Sequence, residues 1–375
     1  MSNACTGFRK IFNFERNLKF EGSFDVGPFR IIVPEELIGG RFAQAKTLTF
    51  EKVLSSSGSK HTVTERAAAA GDWNLTALVV EHAALDSPSM LMPDNPWVNG
   101  AYDLSLILSL LTGAYVAVNN ESLPDFQLSP ALPIVSKNFF SGSFKIDWAL
   151  LPAMRAAGAG EALYALSLAR DSKEGVVKLA MGSAALDGLV SRWHSTSKAN
   201  RYTPEVKEHV KAALQVFEAH LIKAEVDSEL IKDMMPRTTN LSSESALSKL
   251  TSFLTAFNMY PKDPDDAVVK RLRYFNALRN SVAHTGSLRL NVAGPADVTG
   301  RVAGAVAILL QHICRVYVAK YLLQISDAEI ESAQKMVWEF FVQGTLLGQD
   351  ILAEDYDTYR QRLIDTYEMY GSLDL

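Results

Sequence analysis

Apolar and polar residues alternate in stretches of the first part of the chain and recur with helical spacing in the second. Leu18-Lys19-Phe20-Glu21-Gly22-Ser23-Phe24 and Lys46-Thr47-Leu48-Thr49-Phe50-Glu51-Lys52-Val53 alternate over most of their length, as half-buried strands do. The polar run Ser55-Ser56-Ser57-Gly58-Ser59-Lys60 reads as a turn. His61 to Arg66 and Trp73 to Glu81 read as further strands, separated by Ala67-Ala68-Ala69-Ala70-Gly71-Asp72. The pattern predicts an antiparallel sheet, with Tyr102 to Val118 as one buried apolar helix against it. Pro124, Pro130 and Pro133 punctuate an irregular connection. After Phe144 helical spacing takes over, and helices are predicted at 147–170, 173–196, 203–233, 243–258, 264–285 and 298–323. The expected class is α+β: a β-rich recognition or regulatory domain over 1–145, an all-α bundle over 146–325, and acidic helices over 326–375 packed on that bundle. No internal repeat is visible.

One predicted helix is unusually well bounded. Asp263-Pro264-Asp265-Asp266 is a start signal, with Asp263 as cap and Pro264 at the first helical position. Gly286 is a stop signal. Between them Val268, Leu272, Phe275, Leu278 and Val282 form one stripe at spacings of three and four. Arg271, Asn280 and His284 fall off that stripe and need not be core.

Charge sharpens this picture. The 375 residues carry 37 basic and 42 acidic side chains, yet from Ala267 to Leu290 there are Lys270, Arg271, Arg273, Arg279 and Arg289 and no acid. A local positive field in an acidic protein suits an anionic ligand. From Asp327 to Leu375, by contrast, eleven acidic residues face three basic ones. That segment reads as a solvated outer face, or as a restraint on the basic helix.

On the basic helix Asn280 and His284 stand one turn apart, and Arg279 is one residue off their line. Arg279 offers a donor fork for phosphate oxygens, Asn280 an orienting amide, and His284 an imidazole that titrates near neutrality. These groups can move protons at a phosphodiester without a metal. No other Arg in the chain is followed by a His with four to six residues between.

The string Arg273-Tyr274-Phe275-Asn276-Ala277-Leu278-Arg279-Asn280-Ser281-Val282-Ala283-His284-Thr285-Gly286 resembles the HEPN superfamily. Members of that superfamily carry R-polar-x(3–5)-H on one helix of an all-helical bundle. The closing His before a glycine is similar to the Apea-like branch, and the following apolar helix, Val302 to Leu323, also fits. The resemblance covers about residues 175–323. It implies a metal-independent endoribonuclease that needs no cofactor and acts as a homodimer with two motifs lining one cleft, in toxin, stress or phage-defence settings. The catalytic set it implies is Arg279, Asn280 and His284, with Lys270, Arg271, Arg273 and Arg289 binding RNA. An acidic residue on the first bundle helix would be Glu174 or Asp187. Some members of the superfamily lack catalysis and serve as interaction modules. That reading, and a sensor that holds a nucleotide on the same helix, are the alternatives.

The other histidines give no metal-ligand spacing. His209 and His220 share a helical face, His312 reads as a hydrogen-bonded core or interface residue, and His194 reads as a cap on the last carbonyls of its helix. Cys5 and Cys314 are too few for a disulfide framework, and no signal peptide or long unbroken apolar run is present. The expectation is a cytoplasmic protein without a membrane partner. Gly39-Gly40, Gly100 and Gly158-Ala159-Gly160 read as turns, with no nucleotide-binding fingerprint around them. The aromatic residues Phe20, Phe24, Phe29, Phe42, Phe50, Trp73 and Trp97 read as the core of the sheet, whose ligand, if it has one, is unspecified.

Overall fold

The computed structural model describes residues 7–14, 22–33, 46–55, 58–67, 75–113, 115–119, 133–135, 146–171, 175–197, 203–238, 244–285, 296–346 and 349–350. The fold is α+β. By packing, the chain divides into two compact units, Met1–Leu189 with Asp263–Leu375, and Val190–Lys262.

The N-terminal part of the first unit contributes β1 (Phe8–Phe12), β2 (Gly22–Val26), β3 (Phe29–Val33), β4 (Lys46–Ser55), β5 (Gly58–Ala67) and β6 (Leu75–Val80). Helix α1 (Gly100–Thr112) and β7 (Ala117–Asn119) follow. An antiparallel sheet runs in the order β2-β3-β6-β1-β7, and β4 and β5 pair separately as a hairpin. Central β6 buries Leu75, Ala77, Leu78 and Val79 on both faces, so it reads as a continuous apolar run rather than an alternation. Phe12, Leu75, Leu78 and Ala117 form a cluster flanked by Phe8 and Tyr115. Strand β1 precedes the first predicted strand. Two adjacent cations in its middle, Arg9 and Lys10, hide its period, and Arg9 is held by Asp86 at 2.6 Å. In the hairpin Ser55 pairs with Gly58, so the turn is shorter than the polar run suggests.

Helix α1 is buried at every position but Tyr102. It ends at Thr112 and does not continue to Val118 as predicted: Gly113 takes φ 77 and donates to the Ser109 carbonyl at 3.0 Å. A left-handed residue is where glycine ends a helix at least cost. The chain then turns back along α1. Ser109 Oγ accepts from the Val116 amide at 2.8 Å, and Ser105 Oγ donates to the Val116 carbonyl. The buried Asp103 carboxylate accepts from Ser89 Oγ at 2.5 Å and the Met90 amide at 2.6 Å, tying down the preceding loop. Gly100 opens α1 rather than forming a turn. Of the expected core aromatics, Phe24 and Phe29 are buried, whereas Trp97 is 92% exposed. Phe20, Phe42 and Trp73 and the Phe50 side chain lie outside the described residues.

The helical part comprises α2 (Leu151–Ala156), α3 (Ala159–Asp171), α4 (Gly175–Thr196), α5 (Pro204–Lys223), α6 (Ser228–Thr238), α7 (Ala246–Ala256), α8 (Asp266–Thr285), α9 (Ala296–Tyr317) and α10 (Asp327–Gln343). Two predicted helices are each split in two. Gly158, at φ 79, separates α2 from α3, and Glu225, at φ 56, lies in the break between α5 and α6. Gly160 lies inside α3. In the first unit α9 packs on α3, α8 and α10, burying Val306, Leu309, Leu310, Ile313 and Cys314. After α10 comes a short hairpin, β8 (Thr345–Leu346) with β9 (Gln349–Asp350). The rest of the acidic tail lies outside the described residues.

In the second unit Trp193, at the end of α4, meets Phe253 and Phe257 edge-on at 5.5 and 5.6 Å. His194 does not cap its helix. Ser195 and Thr196 hydroxyls take the Arg192 carbonyl, and His194 Nε2 lies 3.5 Å from the buried Glu244 carboxylate. Among the described residues the stretch Gly304–Leu322 is long and apolar enough to cross a membrane, and 72% of that window is buried within the protein.

Candidate active site

The motif helix α8 starts two residues later than its start signal suggests. Asp265, not Asp263, is the cap: its carboxylate accepts from the Val268 amide at 2.8 Å. The predicted stripe is buried at Val268, Leu272, Phe275 and Leu278. The side chain of Val282 lies outside the described residues. The buried face is wider than the stripe, because Arg271, Tyr274 and Arg279 are buried as well. Among the described residues α9 and α10 pack on α8. Against α10, Phe275 meets Phe341 edge-on at 5.5 Å and Phe340 at 6.3 Å.

Arg279 is 1% exposed. One terminal nitrogen donates to Asp187 Oδ1 of α4 at 2.7 Å, and the other donates to Asn276 Oδ1 at 2.9 Å. Its Nε has no acceptor among the described residues. Burial lowers the pKa of the guanidinium from its ordinary value, and the Asp187 charge opposes that shift. The group still remains charged, as guanidinium does in proteins. The Asp187 side chain is 52% exposed, so the pair reaches solvent through the carboxylate and not through the arginine. Asn276 was not among the candidates read from sequence. Its signal was its place three residues before Arg279, where helical side chains meet.

Arg271 has a different role from the anion-binding one expected. It is buried, and its guanidinium donates to the Phe341 carbonyl at 3.1 Å and the Val342 carbonyl at 2.6 Å. These are among the last carbonyls of α10, which lack partners within their own helix. Arg271 therefore acts as a C-terminal cap, held inside by the same packing that buries Phe275.

The remaining candidates follow the solvent side of α8. Arg273 and Ala277 are exposed, and Lys270 and Asn280 are half-buried. Positions 273, 277, 280 and 284 succeed one another at spacings of four, three and four, so in helical register His284 continues this row. The side chain of His284, together with Arg289 and Glu174, lies outside the described residues. The helix thus separates two sets that sequence had placed together: Arg279 and Arg271 on its packed sides, Arg273 and Asn280 toward solvent. Of the two acids nominated, the structure brings Asp187 to the motif arginine.

Cys314 on α9 belongs to the same buried region. Burial raises its thiol pKa, and the Asp187 charge adds to that shift. Among the described residues no three His, Cys, Asp or Glu side chains converge as metal ligands. No protein-family model, no curated protein and no solved structure matches the chain.

Proposed function

We propose that the protein is a metal-independent endoribonuclease of HEPN type, with α8 as its catalytic helix. The observation that carries this reading is the ion pair of Asp187 with Arg279 at 2.7 Å. It joins the motif arginine to an acid on an earlier helix, the third component implied by the resemblance. In this reading Arg279 is a positioning residue. It anchors the last turns of α8 to α4, while Asn280 and His284 face the substrate and Arg273 attracts the phosphate chain.

The chemistry is set by RNA. His284 takes the proton from the ribose 2′-hydroxyl, and the freed oxygen attacks the adjacent phosphorus. The bond to the 5′-oxygen breaks, and that oxygen takes up a proton. The products are a 2′,3′-cyclic phosphate and a 5′-hydroxyl end. DNA, without the attacking hydroxyl, is inert. A homodimer would set two such helices around one strand.

The test is incubation of the purified chain with labelled single-stranded RNA in EDTA, followed by analysis of product ends. The parent is expected to leave 2′,3′-cyclic phosphate, and His284→Ala to be slower by roughly 10²- to 10⁴-fold. Cleavage that survives in His284→Ala, or a parent inert on every RNA tried, overturns the proposal.

The burial of Arg279 favours a second reading, a non-catalytic interaction module in which the Asp187 pair is structural. Arg279→Ala removes a large buried side chain and its hydrogen bonds to Asp187 and Asn276, while the 52% exposed Asp187 carboxylate is left to water. In this reading the variant loses stability in a chain with no cleavage to lose. A nucleotide that raises the melting temperature would point instead to a sensor.

A further inference from the structure

Helix α5 in the second unit has no buried residue along its 20 positions. Helix α6 packs against it, and its half-covered residues are Val210, Leu214, Glu218 and Leu221. On another side Val206, His209, Ala213, Val216, His220 and Lys223 recur at spacings of three, four, three, four and three. At about 100° per residue they keep to one stripe roughly a quarter-turn wide. All six are exposed, with Val216 71% exposed and the adjacent Phe217 38% exposed. The stripe carries no acid, and its one Lys is the last residue of α5. Solvated helix faces are ordinarily charged.

Two features identify what covers it. First, the spacing reads the same from either end. A second α5 laid antiparallel brings Val206 to the partner's Lys223, His209 to the partner's His220, and Ala213 to the partner's Val216. Such self-matching is what a two-fold contact between identical chains requires. Second, Glu205 and Lys223 lie on the same flank of the stripe at opposite ends of α5. Antiparallel pairing sets each Glu205 beside the partner's Lys223 twice, while the Lys223 stem covers Val206. Parallel pairing would oppose Glu205 to Glu205 and Lys223 to Lys223, which repel. Glu205 is exposed and takes a hydrogen bond from Thr203 of its own cap, an interaction local to its own chain.

We propose that this face of α5 is a docking surface for a second copy of the chain, held antiparallel about a two-fold axis through the middle of the helix. The proposal stands apart from the ribonuclease reading, since it uses no residue of α8.

Sedimentation velocity of the full chain at rising concentration is the test. The parent is expected to dimerise, and Val216→Glu to be monomeric with the far-ultraviolet circular dichroism spectrum of the folded parent, because Val216 is a surface residue. Glu205→Lys, which turns both symmetry-related pairs into like-charge pairs, is expected to weaken the dimer about tenfold or more in Kd. Adding Lys223→Glu to it restores the parent value. Within one chain the two positions are about 27 Å apart along the helix, so rescue reports contact between copies. A parent that stays monomeric at tens of micromolar, a dimer indifferent to Val216→Glu, or a double variant no better than Glu205→Lys overturns the proposal.

Discussion

Arg279 and Cys314 are buried, Asp187 stands half-exposed beside them, and each behaves as its neighbours require. The Arg279 fork is divided between Asp187 and Asn276, which leaves it an anchor before it is a ligand-binding group. The Cys314 thiol is enclosed by α9 packing and held protonated by burial and by the Asp187 charge. A thiol reacts as thiolate and only where a reagent can reach it. With Cys5 replaced by Ser, Cys314 should therefore resist a thiol reagent in the native protein and react at once in denaturant. Native labelling at the rate of a free thiol would show the region to be open. The Arg279–Asp187 contact lay within reach of sequence reasoning, because Asp187 was already a candidate partner. The depth of Arg279 was not, since it depends on what α9 lays over it.

At the scale of elements, two buried arginines cap the ends of other helices. Arg271 of α8 serves the Phe341 and Val342 carbonyls of α10, and Arg315 of α9 donates twice to the Leu110 carbonyl of α1, at 3.1 and 3.0 Å. Each satisfies carbonyls that a helix leaves without partners and places a cation at the negative end of its dipole. Gly344, at φ 76, ends α10 beside the Arg271 contact. Arg271→Met keeps most of the side-chain volume and removes the donors, leaving carbonyls buried and unpaired. The expected loss is about 2–3 kcal/mol of stability, read from the urea unfolding midpoint. A change within 0.5 kcal/mol, the range usual for surface substitutions, would show that these carbonyls find other partners. Neither cap follows from local sequence: a cation in a helical pattern looks the same whether it meets water or another helix end.

For the first unit as a whole, stability should carry the mark of His312. Its Nε2 donates to the Ala333 carbonyl of α10 at 3.0 Å, which bears out the expected hydrogen-bonded role in the core. Burial and the nearby Arg315 charge bring its pKa from 6.5 down to about 3. Between those values the unfolded chain binds a proton that the folded chain refuses. Stability from this group is therefore full above 6.5 and is lost as pH falls toward 3, at a limiting slope of about 1.4 kcal/mol per pH unit. Asp103 acts in the opposite sense. Burial raises its pKa, so its contribution is greatest below the ordinary value of 3.8 and declines as pH rises. His312→Gln keeps a donor for Ala333 and removes the titration. The variant should show a flatter decline in unfolding free energy between pH 7 and 5. An unchanged slope would mean that His312 is not the group responsible.

Local order was legible because it is periodic. Alternation marked β2 and the hairpin, a run of apolar residues marked β6, spacings of three and four marked α8 and its buried stripe, and the change from strand to helix near residue 145 follows from the same signals. The endpoints depended on single residues that a period does not register, such as Gly113 closing α1 early and Glu225 parting α5 from α6. Burial and partnership were settled elsewhere in the chain. Arg271 and Arg279 sit outside the apolar stripe, yet α10 and α9 cover the flanks of α8 and draw both inside, because a helix packed by two neighbours buries more than one face. Periodicity is a property of a few adjacent residues. Depth belongs to segments as far apart as Asp187 and Arg279, or Leu110 and Arg315, which only the folded chain brings together.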